Sequence, residues 1–192
     1  MTKPENIAIL DMEWTSWEGA NIRGWSGPGE FPEIVEIGVI SITNDETLTE
    51  IDALQVYVKP ILNPILSKYF IDLTGISQRT VDKKGSTLHD ALEKTRCFLG
   101  NKVRHIFSHG NDALIIKRNC VRLSIPPLSE HYQFINIQDT IASFIGNNKK
   151  NYTSSDLPML MGFQSPGNAH TAIADCRCVA QAMRIMRRSG KF

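Results

Sequence analysis

Residues 7–13 constrain the fold of this chain more than any other segment, because an apolar run leads directly into two acids. The run reads Ile-Ala-Ile-Leu-Asp-Met-Glu. A short and mostly apolar segment of this kind predicts a strand near the centre of a sheet. In a strand, Asp11 and Glu13 point to one face and Met12 points to the other. The sheet must therefore either expose two carboxylates at the end of this strand or enclose them.

Enclosing both carboxylates requires a partner, because an isolated buried charge is far more stable in water. The nearest basic residue before the pair is Lys3, and the next one after it is Arg23. This spacing disfavours a local salt bridge. Two interpretations stay open: the strand end emerges into solvent, or the acids share a site with residues from elsewhere in the chain.

The rest of the chain predicts an α/β domain. Strand-like segments at 33–43 and 51–58 complete a three-strand meander with the first strand, and helical patterns then alternate with short strands. The later elements are predicted as a helix capped by Ser86 or Thr87 and ending at Gly100, strands at 103–108 and 134–138, helices over 112–121 and from Asp139, a loop at 146–151 and a last helix over 171–188. No repeat or long linker divides the sequence. We therefore expect residues 1–192 to form one domain with a mixed sheet.

The predicted last helix carries a carboxylate within its apolar face. That face recurs at helical spacing and consists of Ala172, Cys176, Val179, Met183 and Met186. Asp175 falls inside this stripe, where either a bound cation or the dipole at the helix N-terminus would stabilise its charge. His170 lies five residues earlier, so it can share a site with Asp175 only from the loop that precedes the helix.

A third acid lies between these two segments. The sequence Ser-His-Gly-Asn-Asp at 108–112 follows a predicted strand and opens a predicted helix. Asn111 or Asp112 could be an ordinary helix N-cap. Asp112 could equally belong to a site with the other acids, and the local sequence favours neither interpretation.

Taken in order, the pattern is Asp-x-Glu on the first strand, Asp112 at the start of a mid-chain helix and His-x-x-x-x-Asp near the C-terminus. This pattern resembles the DnaQ-like 3′–5′ exonuclease family, in the branch called DEDDh after these five residues. Likeness to the Eri-like group of that family lies at 32–38, 66–76 and 170–175, and it extends from about residue 6 to residue 184. Asn111 and Trp14 depart from the residues that are common at these positions, an aromatic and a small residue respectively.

The resemblance implies a ribonuclease H-like fold, in which a mixed β-sheet is flanked by α-helices. It also implies a metal-dependent 3′–5′ exonuclease that hydrolyses phosphodiester bonds at the 3′ end of single-stranded RNA or DNA and releases nucleoside monophosphates. The Eri-like likeness favours RNA. The sequence does not decide between RNA and DNA, and it identifies neither the physiological substrate nor the pathway.

The site residues that the resemblance implies are the two acids of the first strand, the mid-chain acid and the pair near the C-terminus. Four carboxylates, those of Asp11, Glu13, Asp112 and Asp175, would hold two divalent ions, with Asp11 bridging them. Ligation by oxygen alone favours Mg²⁺ or Mn²⁺ over zinc, and two such ions would activate a water and stabilise the leaving oxygen. His170 would be the general base that accepts a proton from the attacking water.

Aromatic residues cluster among glycines just after the first strand. They are Trp14, Trp17, Trp25 and Phe31. They could stack on unpaired bases, or they could pack as an ordered lid over the sheet edge, and both interpretations stay open.

The residues that flank Glu13 are predicted to contact the nucleotide. They are Met12, Trp14 and Thr15. Two other acids are predicted to lie outside the site: Glu36 is interpreted as a strand-edge acid and Asp139 as a helix N-cap.

Composition and charge exclude several other classes of protein. Lys and Arg total 21 against 20 Asp and Glu, which gives a net charge of +1 and argues against a polybasic nucleic-acid binder. No stretch approaches the roughly 20 apolar residues of a membrane span, and no apolar signal core follows the N-terminus. The four cysteines form no Cys-x-x-Cys pair. We therefore expect a cytoplasmic protein with reduced thiols, and homodimerisation is possible.

Three alternatives to an exonuclease stay open at this point. The chain could be a non-catalytic nucleic-acid-binding module on the same fold, although all five residues of the pattern are present. It could be a structural or interaction protein in which the matches are accidental. It could also be an endonuclease.

Overall fold

The computed structural model describes residues 6–146 and 152–192 of the chain. Its strands are β1 (Asn6–Trp14), β2 (Ile34–Ile42), β3 (Glu50–Tyr57), β4 (Val103–Ser108) and β5 (Gln133–Asn136). Its helices are α1 (Lys68–Thr74), α2 (Gln78–Lys84), α3 (Leu88–Leu99), α4 (Asp112–Leu123), α5 (Gln138–Ile145), α6 (Leu157–Met161) and α7 (Ala172–Arg188). The predicted meander and the alternation of helices and strands after it are confirmed.

The five strands form one mixed sheet in the order β3-β2-β1-β4-β5. The meander β1–β2–β3 is antiparallel, and β4 and β5 continue from β1 in parallel. The predicted position of β1 at the centre of the sheet is therefore confirmed. This position places the end of β1 next to the end of β4, because parallel strands share their carboxyl ends.

Alternate residues of β1 pack into two different cores, one on each face of the sheet. Leu10 and Met12 belong to a core that includes α3 and α4. Ile7 and Ile9 belong to a core that includes α5, α6 and α7. Asp11 and Glu13 continue the second series, so their side chains face the α7 side, as the period of two predicts.

The start of α7 lies directly against β2 because Gly38 has no side chain. A Cβ on Gly38 would lie 2.6 Å from the carbonyl carbon of Ala172. Gly38 is also the register partner of Asp11 in the antiparallel β1–β2 pair. The close approach therefore brings the first turn of α7 to the part of β1 that carries the acids.

One local prediction is confirmed and another is wrong. Thr87 caps α3 by accepting the N–H of Asp90, as predicted. Asp139 is not an N-cap, because α5 begins one residue earlier and its N-cap is Ile137. The predicted loop at 146–151 lies, except for Gly146, outside the described residues. In the described part of the chain, no helix is both long and apolar enough to cross a membrane.

Candidate active site

One cavity collects all five residues of the sequence pattern. Its volume is about 330 Å³, and it opens where β1 and β4 end. The residues of the pattern that line it are Asp11, Glu13, Asp112, His170 and Asp175. The cavity joins three segments that lie far apart in the chain: the end of β1, the start of α4, and the loop before α7 together with its first turn.

Three of these residues lie close enough to share one ion. A ligand atom of Glu13, one of His170 and one of Asp175 all lie within 4.8 Å of one another. Glu13 comes from the end of β1, whereas His170 and Asp175 come from the loop before α7 and from its first turn. This group contains two of the four predicted metal ligands together with His170, which was predicted as a general base, and it depends on the position of α7 against β2.

Asp112 is buried at the first position of α4, with 2% of its surface exposed. The residue before it, Asn111, occupies the N-cap position without a side-chain capping hydrogen bond. The interpretation of this segment as an ordinary N-cap is therefore wrong. Asp112 instead points its carboxylate into the cavity that Asp11 also lines.

His170 occupies the loop position that its spacing from Asp175 requires. Its φ is 56°, a left-handed conformation that is uncommon for a residue with a Cβ and disfavoured by about 1–3 kcal/mol. Its backbone N–H donates to Ser155 Oγ at 3.1 Å, and the Ser155 hydroxyl donates to Asp175 Oδ1 at 2.7 Å. Ser155 thus links the strained histidine to the buried acid of α7.

A second serine supports the acid of β1. The Ser154 hydroxyl donates to Asp11 Oδ1 at 3.3 Å. Ser154 and Ser155 lie in a single 3₁₀ turn that is fixed by a capping box between Thr153 and Asp156. Neither serine was predicted from the sequence to contact the site acids. The Thr-x-x-Asp spacing at 153–156 was the signal for an ordered turn there.

Burial raises the pKa values of the four carboxylates, and neighbouring acidic charges raise them further. Burial raises the pKa of Asp11 well above its usual value, and the charges of Asp112 and Asp175 add to this. Burial also raises the pKa of Glu13 well above its usual value, with Asp175 as the next contributor. The pKa of Asp112 rises to about 7 and that of Asp175 to about 6, in both cases mainly through burial. The same factor lowers the pKa of His170, which favours its neutral form.

In the described part of the chain, no basic side chain compensates this cluster. Within residues 6–146 and 152–192, no lysine or arginine forms an ion pair with any of the four acids. Asp112 Oδ1 is buried and has no hydrogen-bond partner. A carboxylate oxygen in this state, beside three further acids, suits a hard divalent cation such as Mg²⁺ or Mn²⁺. The residues present therefore fit the metal ions that the pattern implies.

The prediction that Glu36 is a strand-edge acid is wrong, because β2 lies inside the sheet between β1 and β3. Glu36 is not among the described residues that line the cavity. Glu36 is 1% exposed and is the register partner of Glu13. One carboxylate oxygen accepts the N–H of Ala172 at 3.0 Å, and the other accepts the side-chain amide of Gln55. Glu36 therefore holds the first residue of α7 against the sheet beside the acid cluster. A single sequence did not reveal this role, because it depends on the β1–β2 register and on the docking of a helix that lies more than a hundred residues away.

Two of the three predicted nucleotide contacts line the cavity, and the third is buried in the adjacent loop. Met12 and Trp14 line the cavity. Thr15 is 3% exposed, and its hydroxyl donates to the carbonyl of Phe31 at 2.7 Å and accepts the N–H of Glu33 at 3.0 Å. These hydrogen bonds hold the Thr15 side chain in the loop, and the contact of Thr15 with the nucleotide stays a prediction.

A mixed sheet whose central strand presents acids to a cavity beside the helix α7 is the architecture of the ribonuclease H-like fold. The chain belongs to the exonuclease family, because residues 8–183 match the family model described as Exonuclease. Dependence on divalent metal ions is typical of this family. The resemblance found in the sequence is thereby confirmed.

Two curated relatives of this chain have names that describe 3'-5' exonucleases. The human protein named 3'-5' exoribonuclease 1 is 30% identical over 193 residues, which cover 94% of this chain and 52% of the relative. The Bacillus subtilis protein named Probable 3'-5' exonuclease KapD is 30% identical over 122 residues, which cover 63% of this chain and 56% of the relative. The chain thus spans about half the length of these curated relatives.

Solved structures share the fold. The nuclease domain of 3'hExo, described as a DEDDh family member bound to rAMP, aligns with a TM-score of 0.81 at 24% identity and covers 98% of this chain and 94% of that one. Escherichia coli exonuclease I in a complex with single-stranded DNA aligns with a TM-score of 0.70 at 15% identity, over 96% of this chain and 41% of that one. These likenesses confirm the ribonuclease H-like fold.

The raised pKa values predict how metal-free protein responds to pH. An acid whose pKa is higher in the folded state stabilises the fold only while it keeps its proton, so stability falls as pH rises through the folded pKa. Burial lowers the pKa of His109 to about 4 and also lowers that of His170. These two histidines make the stability rise with pH, but only below about pH 6.5. We therefore expect the free energy of unfolding in EDTA to fall from pH 6.5 to 8.5, by up to about 1 kcal/mol per pH unit for each proton lost.

Urea unfolding at several pH values measures this slope. Asp112→Asn removes the acid whose pKa is about 7 and should make the slope shallower. Saturating Mn²⁺ at pH 8 should restore stability to the wild-type protein, by about 3 kcal/mol at a hundredfold excess over the dissociation constant. Stability that increases with pH over this range in EDTA would contradict the account.

The contact at Gly38 yields a second prediction. Gly38→Ala places a methyl group against the backbone of α7 and should displace the residues that this helix contributes to the cavity, at a cost in stability of about 1–3 kcal/mol. Ile40→Val lies two residues further along the same face of β2 and removes a methyl group, at about 0.5–1.5 kcal/mol. Only Gly38→Ala should diminish the rise in melting temperature that Mn²⁺ produces. If both variants respond to Mn²⁺ equally, the close approach does not position the site.

Proposed function

We propose that the chain is a metal-dependent 3′–5′ exonuclease that hydrolyses the terminal phosphodiester bond of single-stranded nucleic acid and releases nucleoside monophosphates. The observation that carries the proposal is the convergence of Asp11, Glu13, Asp112, His170 and Asp175 on one cavity. RNA is the favoured substrate because the human relative is named an exoribonuclease. We also propose that residues 1–192 form one exonuclease domain, in keeping with the family match over residues 8–183.

In this proposal the four carboxylates hold two divalent ions, Mg²⁺ or Mn²⁺. When bound, such ions supply an activated water and compensate the charge on the leaving oxygen. Asp11, on the central strand, would contribute to both ions, and Glu13, Asp112 and Asp175 would complete the ligand set. Ser154 and Ser155 orient two of the acids through the hydrogen bonds described above.

His170 accepts the proton of the attacking water. Its lowered pKa keeps it neutral, and therefore able to accept a proton, near pH 7. Its strained backbone and the hydrogen bond to Ser155 fix the direction in which the imidazole points. Met12 and Trp14, on the wall of the cavity, contact the terminal nucleotide.

A labelled-strand assay tests the proposed function. Single-stranded RNA and DNA of equal sequence, labelled at the 5′ end, are incubated with Mg²⁺, Mn²⁺ or EDTA and resolved as a ladder. We expect stepwise shortening from the 3′ end with either metal, faster on RNA, and no reaction in EDTA. Asp112→Asn should reduce the rate by at least about a hundredfold, because it removes a metal ligand.

Asp90→Asn provides the matched control, because Asp90 is an exposed acid on α3. This variant should react at the wild-type rate. Cleavage of a circular single strand would identify an endonuclease instead. Metal-dependent binding of the strands without any shortening would identify a non-catalytic binding module. The cytoplasmic location and a homodimer remain predictions from the sequence.

A further inference from the structure

The loop between β1 and β2 places a second tryptophan in the cavity. Trp25 lines the cavity together with Trp14 and the acids. Its indole centroid lies 6.1 Å from that of Trp14, and the two rings are inclined at 59°. Trp14 also packs against the core that includes Leu10 and Met12. The ring that contacts Trp25 is therefore anchored in this core.

The loop holds Trp25 in an unfavourable backbone conformation. Its φ is 55°, in the left-handed region that bulky residues rarely adopt. The backbone N–H of Trp25 donates to the carbonyl of Ala20 at 2.8 Å, and the indole N–H donates to the carbonyl of Thr15 at 3.0 Å. These two hydrogen bonds fix both the backbone and the plane of the ring.

An ion pair and a hydrogen bond hold the rest of the loop around Trp25. The Arg23 side chain forms an ion pair with Glu30, with the Nε–Oε2 distance at 2.9 Å, and Glu30 also accepts the N–H of Gly27 at 3.1 Å. Packing alone does not require a strained tryptophan at the edge of a cavity. A ring whose polar N–H is already satisfied leaves its π-face as the group available to a ligand.

We propose that Trp25 determines specificity by stacking on the base of the 3′-terminal nucleotide, so that the site selects ends with an unpaired base. The inference rests on the proposed exonuclease function. Every base has a π-face, so stacking of this kind tolerates any sequence but requires that a base be present and accessible. Thr15, predicted as a substrate contact, acts here through its carbonyl by orienting Trp25.

The test compares single strands whose last nucleotide carries a base with strands whose last residue is abasic. For wild type we expect the abasic end to raise KM by about five- to 150-fold, the range for one stacked base, with a smaller change in kcat. Trp25→Ala should raise KM by a similar factor on normal ends and cause no further loss on abasic ends. Trp25→Phe should recover most of the discrimination. If the effects of Trp25→Ala and of base removal multiply, the proposal is wrong.

Trp17→Ala provides the matched control, because Trp17 lies in the same loop but is not among the described residues that line the cavity. It should retain the wild-type preference for a base. Melting temperatures of all variants separate a folding defect from a stacking defect, and Trp25→Phe keeps an aromatic ring in the loop. If Trp25→Phe folds normally but discriminates no better than Trp25→Ala, stacking by this residue is excluded.

A binding measurement separates this inference from the proposed function. Anisotropy of the same labelled strands in EDTA reports affinity without hydrolysis. If wild type shortens no strand but binds normal ends more tightly than abasic ends, and Trp25→Ala abolishes this difference, the inference holds while the exonuclease proposal fails. If wild type is active but binds both ends equally, the inference fails and the exonuclease proposal stands.

Discussion

Repulsion among buried carboxylates is the constraint on which the rest of this structure depends. Asp11, Asp112 and Asp175 are 7%, 2% and 2% exposed, and Glu13 faces the same cavity. Four charges in so small a volume are unstable without cations, and the described residues supply no lysine or arginine to them. The fold therefore has to hold the acids together against a force that separates them. In the metal-free protein, burial and then the charges of the neighbouring acids raise the pKa values of Asp11 and Glu13.

The scaffold meets this constraint through contacts between distant segments. Gly38 lets the first turn of α7 approach β2, and Glu36 binds the N–H of Ala172 at the same place. In the turn at 153–156, Ser154 donates a hydrogen bond to Asp11 and Ser155 donates one to Asp175. These contacts fix the positions of backbone and carboxylate groups without neutralising a charge. The arrangement is thus rigid but electrostatically incomplete, which is the condition expected of a preorganised metal site.

The sequence predicts the parts of this arrangement that follow from local periodicity. A period of two placed Asp11 and Glu13 on one face, and a period of 3.6 placed Asp175 inside an apolar stripe. Neither period reveals Glu36, whose role depends on the register between β1 and β2 and on a helix docked from the other end of the chain. The prediction that Asp139 is an N-cap was wrong because α5 begins at Gln138, one residue before this acid. The side of a loop on which a residue such as Trp25 lies is likewise set by tertiary contacts.

Proton release on metal binding tests the central claim most directly. Calorimetric titration of Mn²⁺ into metal-free protein at pH 7, in buffers of different ionisation enthalpy, counts the protons that the cluster loses as the ions bind. With the pKa of Asp112 at about 7 and those of Asp11 and Glu13 held well above their usual values, we expect at least one proton to leave per protein molecule. Binding without proton release, or no binding at all, would contradict the claim that only cations allow these carboxylates to be charged together.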